Sequence, residues 1–371
     1  MTASVQPQLF PSAQTHMVDL FAGPGGLDVA AHWLGINVTG IEWDDDACAT
    51  RTKAGLVTKH SDVRKFGPED FPDATVLAGG PPCQTYTVAG GGAGRRSLDQ
   101  VLEYLHRMVV DGEDVTEEVS KLHGNDDERT GLVLEPMRWI LGAHRGGKPY
   151  EAVVLEQVPA VLPVWDAYAK ALQGLEYNVA CGVLHTEQFG VPQTRRRAIL
   201  IARRHGKAEL PKPSHRLYRK GRSRSEGDSD LLPWVSMEDV LPDRKKFVVV
   251  SNYGTGGDPK DRGRRRSDEP SATVTGKISR NRLYSTASLS RELERFTPEE
   301  SGRLQTFPVD YPWSGKQIAQ QVGNAIPPRL AAHVLAAALG RKFETADLDR
   351  VVGAAWDPGL YEKPLLPTTQ A

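Results

Sequence analysis

The sequence is poor in cysteine and has no long hydrophobic run. Only Cys48, Cys83 and Cys181 occur among 371 residues, a set that makes a poor disulfide framework and favours a reducing compartment. The lack of about 18 consecutive apolar residues argues against a transmembrane helix. The first residues also lack the basic and apolar segments of a signal peptide. These absences predict an intracellular, cytoplasmic protein with no membrane partner.

An excess of one charge sign is absent from the whole chain but present locally. Lysine and arginine number 46 against 47 acidic residues, so the total charge indicates no class of partner. Residues 203–224, however, hold nine lysines and arginines against one acid, and residues 262–266 repeat the basic bias. Because proline, glycine and serine are abundant between these segments, residues 203–290 are predicted to form a separate, loop-rich domain.

Apolar strands alternate with helical segments before residue 202. Strands are predicted at 16–21, 37–42, 74–78 and 152–155, with helices near 27–34 and 132–141. This alternation predicts an α/β, Rossmann-like domain with a parallel sheet. The apolar run 330–339 is expected to pack back on it, so residues 1–202 and 291–371 would form one domain.

Two segments depart from this rhythm. Glycines at 90–94 and acids at 111–118 predict a mobile loop with an inserted helical piece within residues 88–130. From residue 291 to 304 the sequence returns to a helical pattern.

A glycine-rich turn, residues 19–26 (DLFAGPGG), follows the first predicted strand. Such a turn lets the backbone approach a ligand, although a tight turn without a ligand is an equally good interpretation. The segment lacks the Lys-Ser/Thr of a phosphate-binding loop, and Asp28 replaces the third glycine of the dinucleotide fingerprint. Glu42, at the end of the next strand, suits a ribose diol. Together they indicate an adenosine-type cofactor.

Two further strand ends carry candidate catalytic groups. Cys83 follows two prolines, which favours a rigidly placed nucleophile, but a buried, inert cysteine is equally expected. Cys48 and Cys181 have no such context and are interpreted as inert. Glu156 follows an apolar strand, where partial desolvation would let a carboxyl group hold a proton. A helix cap or a surface acid is the alternative.

The segment 193–197 (QTRRR) precedes another apolar strand. Strand alternation places Arg195 and Arg197 on one face, where two guanidinium groups can clamp anions or carbonyl oxygens; a solvated basic stretch is the alternative. The basic residues of 203–290 favour nucleic-acid binding. Neither segment has the His and Cys spacing of a zinc site, so no metal is predicted.

These segments, in this order, resemble the DNA (cytosine-5-)-methyltransferase family. The resemblance covers most of 16–202 and 291–340, and residues 203–290 correspond by position to the family's target-recognition region. Its motifs are DLFAGPGGLD (19–28), GGPPCQTYT (79–87), LEQVPAV (155–161), QTRRRAILIA (193–202), RFTPEESGRLQTFPVDY (295–311) and QQVGNAIPP (320–328).

The resemblance implies methyl transfer from S-adenosylmethionine to carbon 5 of a cytosine flipped out of double-stranded DNA. Cys83 would attack carbon 6 while Glu156 protonates N3. Arg197 would hold the carbonyl oxygen of the base, and Arg195 would support the covalent intermediate or a nearby phosphate. Residues 84–94 resemble the family's closing loop.

The resemblance also implies a cofactor site. Phe21, Gly23 and Gly25 would line the methionine end, and Glu42 would bind the ribose. Trp43 would cover the adenine and Asp62 would accept from its amino group, while Asn324 and Ala325 would close over the methionine moiety. Ala22, Gly26, Val63 and Pro82 complete the expected set.

Three features depart from the family pattern. Gln157 stands in place of the usual asparagine after Glu156, so support for the loop after Cys83 is expected to differ. Residues 86–87 are Tyr-Thr where Phe-Ser is usual, and an insert of about 30 residues precedes the segment 127–131.

The alternatives are a transfer-RNA cytosine methyltransferase, a weakly active regulatory DNA-binding relative and a cysteine hydrolase. We also expect a cognate restriction endonuclease as a functional partner and expect the protein itself to be a monomer.

Overall fold

A computed structural model describes residues 15–82, 92–115, 118–119, 128–251, 263–288, 291–359 and 364–370. Its largest element is a seven-stranded sheet with the order β3-β2-β1-β4-β5-β8-β6. The neighbours from β3 to β5 pair in parallel, whereas β8 runs antiparallel to both β5 and β6. This confirms the Rossmann-like α/β prediction. The strands are β1 His16–Leu20, β2 Asn37–Glu42, β3 Thr58–His60, β4 Val76–Gly79, β5 Ala152–Gln157, β6 Asn178–His185 and β8 Arg196–Arg203.

Helices cover both faces of this sheet, because successive side chains of a strand point to opposite faces. One face packs on the first and the late helices, with Val154 and Ile199 in its core. The other face contributes Val153 and Leu200 to a second core that includes Trp165. No described helix is long and apolar enough to cross a membrane. The helices around the sheet are α1 Gly26–Trp33, α2 Asp45–Lys53, α3 Gly92–His106, α4 Glu135–Arg145, α5 Leu162–Gly174, α9 Pro328–Leu339 and α10 Thr345–Val352.

The C-terminal segment returns to the sheet as expected. Helix α9 packs against α1, β5 and β8, and its buried leucines and alanines belong to the same core as Val154. The short elements around it are α7 Pro298–Leu304, α8 Ile318–Asn324, β14 Arg341–Lys342 and β15 Thr369–Gln370.

The basic region forms a small sheet with the order β10-β9-β12-β13. Its buried residues Val249 and Leu283 belong to the core that also contains Val154, so the small sheet packs against the main domain. Strand β11 pairs in parallel with β7, which joins the two regions through backbone hydrogen bonds. The elements are β7 Gln193–Thr194, α6 Met237–Val240, β9 Phe247–Val250, β10 Arg264–Arg266, β11 Ser271–Ala272, β12 Arg282–Ser285 and β13 Glu292–Leu293.

Several predicted boundaries were wrong. The small sheet extends past residue 290, since β13 pairs with β12, and the helical pattern predicted from 291 begins only at Pro298. There Thr297 accepts from the Glu300 amide as an N-cap. The first strand ends at Leu20 because Phe21 adopts φ 60°, outside the strand region.

The predicted loop at 90–94 is also partly helical. Helix α3 begins at Gly92, and Val101 and Leu105 are buried in the core that contains Trp165. Helix α3 therefore packs against α5, because its apolar residues recur at helical spacing. Residues 84–91 of the expected closing loop lie outside the described part of the chain.

Candidate active site and cofactor site

Glu156 and Arg197 meet at the carboxyl end of β5. The Glu156 side chain is 7% exposed, and its Oε1 lies 2.5 Å from Arg197 Nε. The antiparallel register of β5 and β8 produces this contact, because it sets Glu156 opposite Ile199 and Gln157 opposite Ala198. The sequence predicted a carboxyl group partly removed from water; the structure adds a charged partner on the neighbouring strand.

The backbone that leads to Cys83 runs beside Glu156. A methyl group on Gly80 would lie 3.4 Å from Glu156 Oε2, and Gln157 Nε2 donates to the Pro81 carbonyl at 2.5 Å. Gln157 therefore supports the segment before the cysteine. Pro82 is half-buried, and Cys83 itself lies outside the described residues.

Arg195 has a different role from the one expected. Its side chain is only 1% exposed and donates to the carbonyls of Val274 (2.8 Å), Gly323 (2.9 Å) and Ala325 (3.3 Å). Burial lowers the pKa of the Arg195 guanidinium. Arg195 lies between β7 and β8, outside the strand in which alternation was expected to pair it with Arg197, and its Nη donors bind protein carbonyls. It positions the end of α8 and the basic region, and a direct phosphate contact does not fit this geometry.

The glycine-rich turn is held by residues from the late segment. Gly25 has φ 104°, a conformation that glycine adopts at little cost, and a side chain there would meet Tyr311 Oη at 2.9 Å. Tyr311 Oη in turn donates to the Pro24 carbonyl at 2.5 Å. A side chain at Gly26 would collide with the Ile326 carbonyl. These two glycines are thus required by close packing of the protein on itself.

Glu42 connects this turn to the end of β2. Its Oε2 accepts from the Gly23 amide at 2.8 Å, and its Oε1 accepts from the Trp43 and Asp44 amides, each at 2.8 Å. A carboxylate has about four lone-pair sites, so capacity is left for a ligand hydroxyl. Trp43 beside it is 54% exposed, and the Cβ position of Gly23 faces open space. The described residues therefore fit a ribose-bearing ligand.

Asp62 is already engaged within the protein. Its Oδ1 accepts from the Arg64 amide at 2.9 Å, and its Oδ2 lies 2.5 Å from Arg64 Nη2. Burial would raise the pKa of Asp62, but the hydrogen bonds from Arg64 outweigh it and lower that pKa. Val63 next to it is buried. The carboxylate expected to accept from adenine is thus shared with Arg64.

The late segment places Asn324 and Ala325 near the turn. Asn324 is exposed at the end of α8 and accepts from Gln320 Nε2 at 3.1 Å. Ala325 is buried and precedes Ile326, whose carbonyl lies against Gly26. Ala22 is also buried in the turn. Ile326 therefore brings the late segment to the glycine-rich turn.

Sequence reasoning missed Arg51, which lies beneath the turn. Its fully buried guanidinium pairs with Asp28 through Nη1–Oδ2 (2.9 Å) and Nη2–Oδ1 (2.7 Å), and Nη1 also donates to the Gly23 carbonyl at 3.4 Å. Burial and the neighbouring Asp28 raise the pKa of Asp19. The available signal was Asp28 itself, because an acid on the apolar face of a helix requires a charged partner.

The two described cysteines fit their interpretation as inert thiols. Cys48 is buried and lies 3.5 Å from the Glu42 carbonyl oxygen, and burial raises its pKa to about 12. Burial also raises the pKa of Cys181 to about 11. Thiols with such pKa values hold very little thiolate at neutral pH.

The order of the main sheet and the glycine-rich turn at its first strand define the Rossmann-like fold of S-adenosylmethionine-dependent methyltransferases. Within that class, the family model for C-5 cytosine-specific DNA methylase matches residues 15–109 and 118–339. The chain belongs to the C-5 cytosine-specific DNA methylase family.

Similar proteins span nearly the same length. Type II methyltransferase M1.HphI of Haemophilus parahaemolyticus is 28% identical over 353 residues, covering 87% of this chain and 86% of that relative. Type II methyltransferase M.NgoFVII of Neisseria gonorrhoeae is 24% identical, covering 86% of this chain and 84% of its own. The S. pombe Dnmt2 methyltransferase structure has a TM-score of 0.60 at 19% identity, covering 88% of this chain and 98% of its own, a likeness of fold.

Proposed function

We propose that this protein transfers a methyl group from S-adenosylmethionine to carbon 5 of a cytosine in double-stranded DNA. The observation that carries the proposal is the Glu156–Arg197 pair at the end of β5, with the backbone of Gly80 and Pro81 directly beside it. This arrangement would place the next reactive group of the chain, Cys83, near an acid and a cation. Membership of the family supports the same chemistry.

The cofactor would occupy the open side of the glycine-rich turn. Phe21 and Gly23 would contact its methionine end, Glu42 its ribose hydroxyls and Trp43 its adenine, with Asp62 and Arg64 at the adenine edge. When bound, S-adenosylmethionine supplies a methyl group on a positively charged sulfur. The protein would hold the ligand through the glycine-rich turn, which Glu42 and Arg51 already fix in place. Because the turn is ordered before binding, the entropic cost of binding is reduced.

Cytosine needs activation because its carbon 5 is a weak nucleophile. The Cys83 thiolate would form a bond to carbon 6 while Glu156 gives a proton to N3, so the electrons of the carbon 5–carbon 6 double bond become available at carbon 5. After carbon 5 is methylated, a base would remove its proton and the thiolate would leave as the double bond re-forms, while the N3 proton returns to Glu156. Arg197, beside Glu156, would hold the carbonyl oxygen of the base. Covalent catalysis of this kind divides one difficult step into easier ones.

Carbon 6 cannot be reached inside a duplex, so the target cytosine must leave the base stack. Residues 203–290 would bind the flanking DNA as the target-recognition region, with arginines and lysines on phosphates and a few side chains on base edges. Because the relatives above are Type II methyltransferases, we include a cognate restriction endonuclease as a functional partner. We expect the methyltransferase to act as a monomer.

Covalent trapping tests this proposal. Duplex DNA containing 5-fluorocytosine at methylated positions cannot lose its carbon 5 substituent, so an active enzyme stays attached to it. We expect a stable complex with the wild-type protein and S-adenosylmethionine, and none with Cys83→Ala. Absence of the adduct with the wild type would contradict the mechanism, and methyl transfer to transfer RNA but not to duplex DNA would contradict the substrate.

A further inference from the structure

A cleft of about 420 Å³ lies where the main sheet meets the basic region. It is separate from the Glu156–Arg197 pair. Arg196 of β8 lines this cleft, and because consecutive strand residues point to opposite faces, its side chain is directed away from that of Arg197. His185, which pairs with Arg196 across β6 and β8, also lines it. The basic region closes the other side with Tyr218, Lys220 and Arg265.

Three cations line the cleft, and none of them forms an ion pair with a carboxylate of the described part of the chain. Arg196 and Lys220 are exposed. Arg265 lies over the Tyr218 ring at 4.8 Å from its centroid, and its buried Nε has no hydrogen-bond partner among the described residues. Unpaired cations gathered around one cleft favour an anionic ligand.

The floor of the cleft holds one acid, Glu187, which is 3% exposed. Its Oε2 is buried and has no hydrogen-bond partner among the described residues, while its Oε1 lies 3.6 Å from His185 Nδ1. Burial raises the pKa of Glu187 to about 7, although Arg196 and Arg265 oppose that shift. Burial and the nearby Arg196 lower the pKa of His185. The raised pKa of Glu187 therefore reduces the negative charge that the cleft presents to an anion near neutral pH.

We propose that this cleft binds a backbone phosphate of the same DNA duplex whose flipped cytosine faces Glu156. Arg196, Lys220 and Arg265 would contact the phosphate oxygens. Arg196 and Arg197 are adjacent, so their Cα atoms lie about 3.8 Å apart. Strand β8 would therefore bind the DNA backbone with one face and the flipped base with the other. The inference rests on the proposed DNA methyltransferase function and identifies residues that position the duplex.

The salt dependence of DNA binding tests this proposal, because each lost phosphate contact reduces the slope of log K against log salt concentration by about one. Arg196→Gln and Lys220→Gln, both at exposed positions, should each show this smaller slope and a weaker affinity. Lys170→Gln is the matched control. Lys170 is exposed near the end of α5, which leads to the Asn178 end of β6, whereas the cleft lies at the His185 end.

Unchanged slopes in both variants would overturn the proposal. Inorganic phosphate separates the two possible sources of the anion. If phosphate raises the thermal midpoint of the wild type but not of the variants, while the DNA slopes stay unchanged, the cleft binds a free anion and the proposal is wrong. Trapping on 5-fluorocytosine DNA with the wild type reports on the proposed function separately. A smaller slope without trapping would leave the phosphate site standing and reject the methyltransferase mechanism.

Discussion

The two parts of the proposed active site are built in different ways. At the proposed cofactor end, Glu42 is held by backbone amides from the turn and from the two residues that follow it. At the proposed base end, Glu156 pairs with Arg197, and Gln157 binds the Pro81 carbonyl, which are side-chain contacts between separate strands and loops. The function of the proposed cofactor end should therefore depend mainly on the backbone conformation, whereas the function of the proposed base end should depend on single side chains.

The largest effect is expected from Glu156→Gln. The amide cannot give a proton to N3, so the single-turnover rate of methyl transfer should fall about 100- to 10,000-fold, the usual contribution of a general acid. Cofactor binding, measured by calorimetry, should not change, because the cofactor end contains no contact with Glu156. A near-normal rate would show that the acid does not lie at the reacting base.

Arg51→Leu should lower the stability of the protein at the glycine-rich turn. The change leaves Asp28 buried without its cation, and breaking a buried pair in this way costs about 3–5 kcal/mol of unfolding free energy. Urea unfolding measures the loss. Arg350→Leu is the control, because its pair with Asp347 is exposed and should be worth about 0–1 kcal/mol. Equal losses in the two variants would mean that the buried pair does not stabilise the turn.

Gln157→Ala should reduce the methyl-transfer rate by about five- to tenfold, since it removes one hydrogen bond of roughly 1–1.4 kcal/mol to the Pro81 carbonyl. Gln157→Asn restores the family's usual side chain and should recover part of the rate. Single-turnover kinetics at saturating cofactor and DNA give both values. If alanine and glutamine perform equally, the segment before Cys83 is held by the prolines alone.

The smallest effect is expected from the pH dependence of DNA affinity. Glu187 is protonated below its pKa of about 7 and ionised above it, so the wild type should bind DNA more weakly as the pH rises through 7. The change should be about fivefold, the equivalent of roughly 1 kcal/mol for one like charge beside the phosphate. Glu187→Gln should bind equally at pH 6 and pH 8 in a fluorescence titration. An unchanged pH profile in that variant would place the titrating group elsewhere.

Local pattern predicted much of the fold and part of the site. The alternation of strands and helices, the position of the glycine-rich turn and the end of β2 at Glu42 were confirmed by the structure. The helical pattern predicted from residue 291 was wrong because β13 pairs with a strand of the basic region before α7 begins. Helix α3 was missed at its start because its first residues are glycines, which are poor helix formers.

The sequence by itself determined the order of the strands and helices. It also determined that the glycine-rich turn, Glu42 and Glu156 follow strands, because strand periodicity and backbone constraints act over a few residues. Only the tertiary structure decided that Arg197 pairs with Glu156, that Arg195 binds backbone carbonyls, and that Tyr311 holds Pro24. These contacts follow from antiparallel pairing of β8 with β5 and from the return of the C-terminal segment. A local sequence pattern does not specify which distant side chains will be buried together. The partners of Arg197, Arg195 and Tyr311 are therefore fixed only by the packing of the folded chain.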